Sequence, residues 1–314
     1  MTCARCQHTN VKRFGTYGRR KVQRFRCKSC GSTFSSPHEK PLGNRYIDLE
    51  EAAHVLSLLL EGMSIRAASR ITGMHKKTIL SLLVVAGRKC QGVLDARVRD
   101  LRPKFVQLDE LWTFVHTKQD HLKPTDPDEW GDAYTWVAID ADTKLIISHL
   151  VAKRDGPSAL EFVTDFSKRI TGRTQVTSDG FKPYIGAMEE CFGADVDFAQ
   201  LIKIYGKPDN AGPDWYGPPK VIETVPTPVS GKPDFAHICT SHVERSNLNF
   251  RMHLRRFTRL VNAFSKKLEN LKAAVALYVA WYNLCRVHMT LRVTPAMEAG
   301  IADHIWNLGE LLNA

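Results

Sequence analysis

Residues 104–117, KFVQLDELWTFVHT, are the stretch from which the fold of this chain can be worked out. Apolar, β-branched and aromatic residues dominate it, and the acidic pair Asp109-Glu110 interrupts them, so that the stretch predicts a β-strand carrying two carboxylates. Two further β-rich runs follow at 133–139 and 145–152, with a turn between them at 140–144. The three runs together predict an antiparallel meander.

Helices and strands alternate after this meander. Residues 157–170 are helical in pattern, 174–178 form a β-rich run that ends at Asp179-Gly180, 184–191 are helical again, and 198–204 are β-rich. With a further helix opening at Ser241, the order β-β-β-α-β-α-β-α indicates an α/β domain of the ribonuclease-H-like (retroviral-integrase-like) class. In such a sheet, acidic residues at the ends of neighbouring strands can meet.

The composition is that of a globular protein with a surplus of positive charge. Of the 314 residues, 43% are hydrophobic and 25% are charged, which argues against disorder, a collagen-like repeat or a membrane protein. The formal net charge is +11, and residues 1–48 alone hold eleven Lys or Arg against Glu39 and Asp48. This surplus predicts a polyanionic partner, with nucleic acid ranked before an anionic membrane surface.

Two Cys-x-x-Cys pairs, Cys3/Cys6 and Cys27/Cys30, are separated by twenty residues. Four thiolates brought together on two tight turns form the closed tetrahedral site that Zn²⁺ prefers. The segment between the pairs predicts two strands, so we expect a zinc ribbon with a structural Zn²⁺; two unrelated redox pairs are the alternative. The basic side chains that this ribbon would turn toward DNA phosphates are Arg19, Arg20, Lys21, Arg24, Arg26 and Lys28.

The other cysteines and the apolar segments indicate a reducing compartment. The four remaining cysteines are scattered, unlike a disulfide framework. Residues 1–9 contain no apolar run typical of a secretion signal, and the apolar stretch 273–284 is shorter than the ~20 residues of a membrane-spanning helix. The prediction is a cytoplasmic, nucleoid-associated protein of a bacterium or archaeon.

Residues 49–95 predict three helices in a helix-turn-helix arrangement. Asp48 and Glu51 form a capping-box pattern at the start of the first helix, Ser64 caps a short second helix, and Thr72-Gly73 makes the turn. The third helix opens with the residues that we expect at DNA, which are His75, Lys76, Lys77 and Thr78. A plain three-helix bundle or an oligomerisation element would give a similar pattern.

A glutamate and an arginine share a predicted helical face later in the chain. Arg251 follows Glu244 by seven residues, or two helical turns, and Arg255 is expected to continue that face toward DNA. A carboxylate suits Mg²⁺, and an arginine beside it suits a phosphate. The pattern Ser241-x-x-Glu244 is also a capping box, so Glu244 can equally be a helix cap.

Three blocks of sequence single out acids among the 33 in the chain. The blocks LDELWTFV at 108–115, TSDG at 177–180 and HVERSNLNFR at 242–251 closely resemble the DDE transposases of the insertion-sequence-one family. Members of that family also carry a zinc ribbon and a helix-turn-helix before the catalytic domain. The resemblance implies that Asp109, Asp179 and Glu244 are catalytic and hold Mg²⁺ or Mn²⁺, and that Arg251 contacts the DNA of the transposon end.

Two features qualify the resemblance. Adjacent strand residues point to opposite faces, so Asp109 and Glu110 are not expected in one site, and Glu110 is given a structural or supporting role. Sixty-four residues separate Asp179 from Glu244, more than is typical of the family. The excess lies in 205–236, whose seven Pro and four Gly argue against a helix or a central strand. This segment is predicted to be the insertion of a longer-spaced subgroup.

The predicted organisation is a zinc ribbon at 1–47, a helix-turn-helix domain at 48–100, a catalytic domain at 101–295 containing the 205–236 insertion, and a tail at 296–314. We expect an insertion-sequence transposase that binds terminal inverted repeats and catalyses metal-dependent DNA cleavage and strand transfer. Its partners would be the double-stranded DNA of transposon ends and target, within a homodimer or larger synaptic assembly. A transcriptional regulator with a decayed nuclease domain and a structure-specific nuclease of the same fold are the alternatives.

Overall fold

A computed structural model describes residues 1–17, 21–35, 42–43, 47–206 and 220–314. The chain divides into two compact units, Met1–Ala52 and Ala53–Ala314. Strands and helices are both abundant, and the larger sheet contains parallel and antiparallel neighbours, so the chain is of the mixed α/β class that the sequence predicts. The finer division into four segments stays a prediction.

The first unit contains a small antiparallel sheet. Its strands, in the order β1-β2-β3, are β1 (Val11–Tyr17), β2 (Val22–Cys27) and β3 (Thr33–Ser35). The first two confirm the strands predicted between the cysteine pairs. The chain turns between β2 and β3 at Gly31, whose φ of +73° lies in the left-handed region that glycine adopts without strain.

Three helices follow where they are predicted: α1 (Leu49–Leu60), α2 (Ile65–Thr72) and α3 (Lys76–Arg97). Ser64 caps α2, because its hydroxyl accepts a hydrogen bond from the backbone N–H of Ala67 at 3.1 Å. Gly73, with φ +71°, ends α2, and His75 caps α3 by accepting from the backbone N–H of Lys77. The predicted Ser64 cap and the predicted turn at Gly73 are therefore confirmed, and the capping box of Asp48 and Glu51 stays a prediction.

The second half of α3 packs closely on a long buried helix, α7 (Leu268–Leu284). A Cβ atom added at Gly87 would lie 2.5 Å from the Cα of Ala273, so this approach requires glycine. Within the described residues, neither these helices nor any other combines the length and apolar character needed to cross a bilayer.

A buried arginine fastens the end of α3. Arg169 forms ion pairs with Asp95 at 2.5 Å and Asp165 at 2.7 Å, and it also donates to the carbonyls of Leu94 and Val98. Its side chain is almost fully buried, and its N–H groups donate to both carboxylates and to two carbonyls at the end of α3. The C-terminal turns of α3 are thereby held against the α/β layer.

In the part of the second unit that the structure describes, the central sheet has six strands. They are β4 (Phe105–Val115), β5 (Gly131–Asp140), β6 (Ile146–Ala152), β7 (Thr174–Ser178), β8 (Val196–Gly206) and β9 (Lys220–Ser230). Their order across the sheet is β6-β5-β4-β7-β8-β9. The strands β4, β5 and β6 form the predicted antiparallel meander, and β7 and β8 extend the sheet in parallel with β4.

Helices connect and cover these strands. Besides α7, they are α4 (Gly156–Ser167), α5 (Pro183–Phe192), α6 (Ser241–His253), α8 (Pro295–Glu298) and α9 (Leu308–Asn313). The predicted order of elements from β4 to β8 is confirmed, and α6 begins at the predicted Ser241. An aromatic core joins the sheet to α4 and α5, with Trp136 5.7 Å from both Phe162 and Tyr184, measured between ring centres.

The 205–236 segment differs from the prediction. Residues 207–219 lie outside the described residues, but β9 pairs antiparallel with β8 although Pro226 and Pro228 lie within it. Proline has no N–H to donate, and a strand at the edge of a sheet tolerates this because one of its sides has no neighbour. The prolines argue against a central strand and are compatible with the edge strand that forms.

Candidate active site and metal centres

Asp109, Asp179 and Glu244 line one cavity of about 620 Å³ in the second unit. Asp109 lies in β4, Asp179 directly follows β7, and Glu244 lies in the first turn of α6. Because β4 and β7 are parallel neighbours, the chain leaves β7 beside the middle of β4, which places the two aspartates at the same edge. The structure therefore brings three predicted acids from distant segments to one cavity.

Gln107 positions the third segment. This buried residue of β4 accepts hydrogen bonds at Oε1 from the backbone N–H groups of His242 at 2.8 Å and Val243 at 3.1 Å. The first N–H groups of a helix have no partner within the helix, and here a side chain of the sheet satisfies two of them. Gln107 thus holds the start of α6, and with it Glu244, against the strand that carries Asp109.

Glu110 lies beside the two aspartates, although alternation predicts its separation from Asp109; it does not line the cavity, so its predicted structural or supporting role is not contradicted. One carboxylate oxygen each from Asp109, Glu110 and Asp179 lie within 4.8 Å of one another. The β4–β7 ladder ends at Gln107 and Thr177, so this edge of β4 has no neighbouring strand at Asp109 and Glu110. Both side chains can reach the open edge there, whatever the alternation of the pleat.

Arg154 links two of these acids. Its Nε donates to Oε2 of Glu110 at 2.9 Å, and its Nη2 donates to Oδ2 of Asp179 at 3.2 Å. The guanidinium carbon lies 3.9 Å from the centre of the Phe181 ring, a cation–π contact. The Glu110 side chain is only 1% exposed, so its charge depends on this arginine for compensation.

Glu244 lies apart from the group of three and has partners of its own. It pairs with the ammonium of Lys203, and it accepts a 2.5 Å hydrogen bond from the hydroxyl of Thr240. The N-cap of α6 is Thr240, so the capping box that would begin at Ser241 does not form. The Glu244 side chain is 45% exposed, which leaves it accessible from the cavity.

Burial and mutual repulsion disfavour the ionised forms of the acidic group. Burial, together with the negative charges of Glu110 and Asp179, raises the pKa of Asp109 to about 7. Burial and the charge of Asp179 also raise the pKa of Glu110. On the other side, Asn247 donates from Nδ2 to Oδ2 of Asp109 at 2.7 Å. A positive ion placed among these carboxylates would relieve their repulsion.

The two arginines predicted to contact DNA near this site occupy different elements. Arg251 lies in α6, and burial and the nearby Arg259 lower the pKa of its guanidinium. Its Nη1 atom is buried and has no hydrogen-bond partner among the described residues. Arg255 does not continue the α6 face, because α6 ends at His253 and Leu254 is extended; Arg255 begins a separate 3-10 turn.

The four cysteines of the first unit form a second candidate metal centre. Their Sγ atoms lie within 4.8 Å of one another, with Cys3 and Cys30 3.7 Å apart and Cys6 and Cys27 3.5 Å apart. Hydrogen bonds from the Ser32 hydroxyl and from the backbone lower the pKa of Cys3 to about 6. Four converging sulfur ligands, one of them favoured as a thiolate, fit a tetrahedral Zn²⁺.

The remaining predicted DNA-binding residues are on the surface of their elements, except that Arg19 and Arg20 lie outside the described residues. Lys21 is exposed in the β1–β2 turn, and Arg24 donates to Thr33 at 2.7 Å while lying over the Tyr17 ring. At the start of α3, His75, Lys76 and Lys77 are exposed and Thr78 is half-buried. Their contacts with DNA stay a prediction.

Four residues of the acidic cavity and its supports were not predicted: Gln107, Arg154, Lys203 and Asn247. Arg154 follows the end of β6, where a basic residue could have been matched to the acidic strand ends. Lys203 lies between Ile202 and Ile204 in β8, and this alternation is a weak signal that the lysine side chain points to the opposite face of the sheet from the two isoleucines. Gln107 and Asn247 act through contacts more than 130 positions apart in the chain, for which the sequence offers no local signal.

Comparisons with known proteins find distant structural likeness. No family model and no curated protein matches this chain. The piggyBac transposase, in a synaptic complex with hairpin DNA, is 10% identical with a TM-score of 0.38, and the match covers 88% of this chain and 72% of that chain. A Mos1 strand transfer complex and a Mos1 paired-end complex are 14% and 12% identical, with TM-scores of 0.21 and 0.20.

The Mos1 matches cover 51% and 55% of this chain and 60% and 63% of the Mos1 chains. The piggyBac and the paired-end structures are described as transposase complexes with hairpin DNA and with a transposon end. Because all three TM-scores lie below 0.5, the function has to be argued from the residues of this chain.

Proposed function

We propose that this protein is a DDE transposase of the insertion-sequence-one family, with a ribonuclease-H-like catalytic domain that cuts DNA and transfers strands. One observation carries the proposal: Asp109, Asp179 and Glu244, from three distant segments, line one cavity. Sequence blocks that resemble the family surround each of these acids. The strand order, a meander extended by two parallel strands, agrees with the proposed fold class.

The donor atoms of the cavity fit Mg²⁺ or Mn²⁺. Asp109 and Asp179, with Glu110 beside them, offer carboxylate oxygens within 4.8 Å of one another, and hard divalent ions prefer such ligands. Glu244 lines the same cavity and would complete the set. When bound, two ions activate the attacking oxygen and stabilise the leaving oxygen of a phosphodiester displacement.

The chain's own residues would orient this reaction. Asn247 holds the Asp109 carboxylate by one oxygen, and Gln107 holds the helix that carries Glu244. Water would first break a phosphodiester bond at the transposon end and leave a free 3′-hydroxyl. That hydroxyl would then attack a target phosphodiester in line, forming the new bond as the target's own 3′-oxygen leaves. No covalent link between protein and DNA is needed.

DNA would be recognised outside the cavity. A structural Zn²⁺ held by Cys3, Cys6, Cys27 and Cys30 would stabilise the ribbon, which has too small a core to fold by burial alone. The exposed start of α3, with Lys76 and Lys77, would enter a groove of the terminal inverted repeat. Arg251 and Arg255 would contact the transposon end closer to the cut. Two ends must be joined together, so a homodimer or larger synaptic assembly is proposed.

A strand-transfer assay tests this function. The full chain is incubated with Mg²⁺, a target plasmid and short duplexes carrying the inverted repeats that flank its own gene. The wild type should join these ends to the target, while Asp109→Asn and Asp179→Asn should bind the ends and join nothing. The matched control is Asp128→Asn, an exposed aspartate that does not line the cavity. Joined product from either cavity variant contradicts the proposed site, and wild-type cleavage without joining points to a nuclease instead.

A further inference from the structure

The acidic cavity already contains cations supplied by the protein. Of its lining residues, Asp109, Asp179 and Glu244 are acidic, whereas Arg154, Lys182 and Lys203 are basic. Arg154 is bonded to Asp179, and Lys203 is paired with Glu244. Two of the three proposed metal ligands are therefore neutralised by side chains of the same chain.

These two pairs are arranged so that they can open. The side chains of Arg154 and Lys203 are 33% and 25% exposed, and both face the same cavity of about 620 Å³. Arg154 is also supported by the face of the Phe181 ring, a contact that does not need the carboxylate of Asp179. Each cation can thus release its acid without becoming buried and unpaired.

The binding of divalent cations would change the net charge of the cavity. Three acids and three bases line the cavity. Divalent ions bound to Asp179 and Glu244 would leave Lys203 without an anionic partner and Arg154 with Glu110 alone, and they would make the cavity more positive. A DNA phosphate brings the compensating negative charge, and arginine and lysine are its usual ligands.

We propose that Arg154 and Lys203 are exchangeable counter-ions of the acidic cavity: they hold Asp179 and Glu244 in the metal-free protein and bind phosphate oxygens of DNA when divalent ions occupy the carboxylates. This inference rests on the proposed function, because it names the residues that the same site uses to bind its substrate. It makes Arg154 and Lys203 positioning residues in one state and DNA-binding residues in the other.

A purely structural role leads to the opposite expectation for metal binding. If Arg154 and Lys203 served only to keep the acids in place, their removal would disorder the carboxylates and weaken the binding of a divalent ion. If they compete with the ion, their removal frees ligand oxygens and removes a repelling charge, so binding tightens. The sign of the change in Mn²⁺ affinity separates the two roles.

The first measurement is a titration of the zinc-loaded full chain with Mn²⁺ in the absence of DNA, following free Mn²⁺ by electron paramagnetic resonance. Asp179→Asn identifies the signal that belongs to the cavity. We expect Arg154→Gln and Lys203→Gln each to tighten Mn²⁺ binding by about threefold or more, the scale of a partly exposed ion pair. Arg154→Lys, which keeps the charge, should stay near the wild type.

The matched control is Arg173→Gln, which breaks a comparable ion pair with Asp197 that does not line the cavity. It should leave Mn²⁺ binding unchanged. Weaker or unchanged Mn²⁺ binding in both Arg154→Gln and Lys203→Gln overturns the proposal. Lys203→Gln keeps the test decisive if Arg154→Gln fails to fold, because Glu244 is exposed and tolerates the loss of its partner.

The second measurement is the salt dependence of binding of the zinc-loaded chain to the end duplex, in Ca²⁺ and separately in buffer without added divalent ions. Each phosphate contact contributes about 0.9 to the slope of log affinity against log salt. The slope should fall by about one in Arg154→Gln in Ca²⁺ and stay the same without added divalent ions, where Arg154 is engaged with Asp179. Equal slopes for wild type and variant in Ca²⁺ contradict the phosphate-binding half of the proposal. If Arg154 and Lys203 compete with Mn²⁺ but the wild-type chain binds no DNA, the proposed function is contradicted, whereas the role of these residues as counter-ions in the metal-free protein is kept.

Discussion

Asn247 donates a hydrogen bond of 2.7 Å from Nδ2 to Oδ2 of Asp109 and so ties helix α6 to strand β4 within the acidic cavity. The other oxygen of Asp109 accepts from the backbone N–H of Glu110 at 2.9 Å. Both oxygens are therefore oriented before any ion binds. A carboxylate held in this way presents a defined lone pair to the cavity, which is the usual function of residues that support metal ligands.

Replacing Asn247 with Ala should lower Mn²⁺ affinity and the proposed strand transfer by about 10- to 100-fold, because the supporting hydrogen bond to the proposed metal ligand Asp109 is lost. Circular dichroism should show the helical content of the wild type. Asn262→Ala, at an exposed position outside the acidic cavity, is the control and should leave both quantities unchanged. Full strand transfer by Asn247→Ala would remove this residue from the site.

Stability should fall in mild acid because of His149. Burial and the neighbouring Arg169 lower the pKa of His149 to about 4, below the value of 6.5 expected in the unfolded chain. Between these values the unfolded chain binds more protons than the folded one, so stability that is present above pH 6.5 is lost as the pH falls toward 4. The loss from this one group should reach about 2 kcal/mol at pH 5.

Urea unfolding at pH 7 and pH 5 checks this expectation. His149→Gln should lose less stability than the wild type between the two pH values. His54→Gln, on the exposed side of α1, is the control and should behave as the wild type does. If His149→Gln and the wild type lose the same amount, another group causes the acid sensitivity.

Removal of one cysteine ligand should abolish zinc binding. The purified chain should contain about one Zn²⁺, and Cys27→Ser should contain almost none, because a closed structural site needs all four ligands. Helical circular dichroism should change little, since the main elements of the first unit are three short strands. Cys191→Ser, at a cysteine outside the cluster, should keep its zinc. Elemental analysis distinguishes these outcomes, and a zinc-free wild type contradicts the assignment.

Two glycines of α3 should respond in opposite directions to the same substitution. Gly87→Ala should lower the free energy of unfolding by about 1–3 kcal/mol, because its methyl group would overlap Ala273 of α7. Gly92→Ala meets nothing within 4 Å and should raise stability by about 0.5–1 kcal/mol through helix propensity. Chemical denaturation of both variants measures the difference; a stabilising Gly87→Ala would show that the two helices can move apart.

Local patterns in the sequence were sufficient for most of the elements. The strand containing Asp109, the strand before Asp179 and the helix opening at Ser241 follow from periodicity and capping residues, which depend on near neighbours. The end of α6 did not follow, because no glycine or proline marks it and the chain changes course at Leu254, with φ −112° and ψ 102°. Arg255 was accordingly assigned to the wrong face.

Features that depend on topology could not be predicted from the same patterns. Whether Pro226 and Pro228 exclude a strand depends on whether that strand is central or at the edge, which the local sequence does not state. Asp109 and Glu110 alternate along β4, but their carboxylates can still meet at the edge of the strand, because the pairing with β7 stops at Gln107. Arg154 and Lys203 meet their acids through long-range contacts, so only the folded chain reveals them.

The continuity of α3 has a mechanical consequence. Its 22 residues span about 33 Å without a break. Lys76 and Lys77 are exposed at its first turn, and Arg169 binds the carbonyls of its last turns. Under the proposed function, DNA bound at the start of α3 would lie at a set distance from the sheet, because the same helix packs against α7 at Gly87. No flexible linker interrupts this stretch, so the proposed mechanism would set the spacing between the recognised sequence and the cleaved bond by the length of one helix.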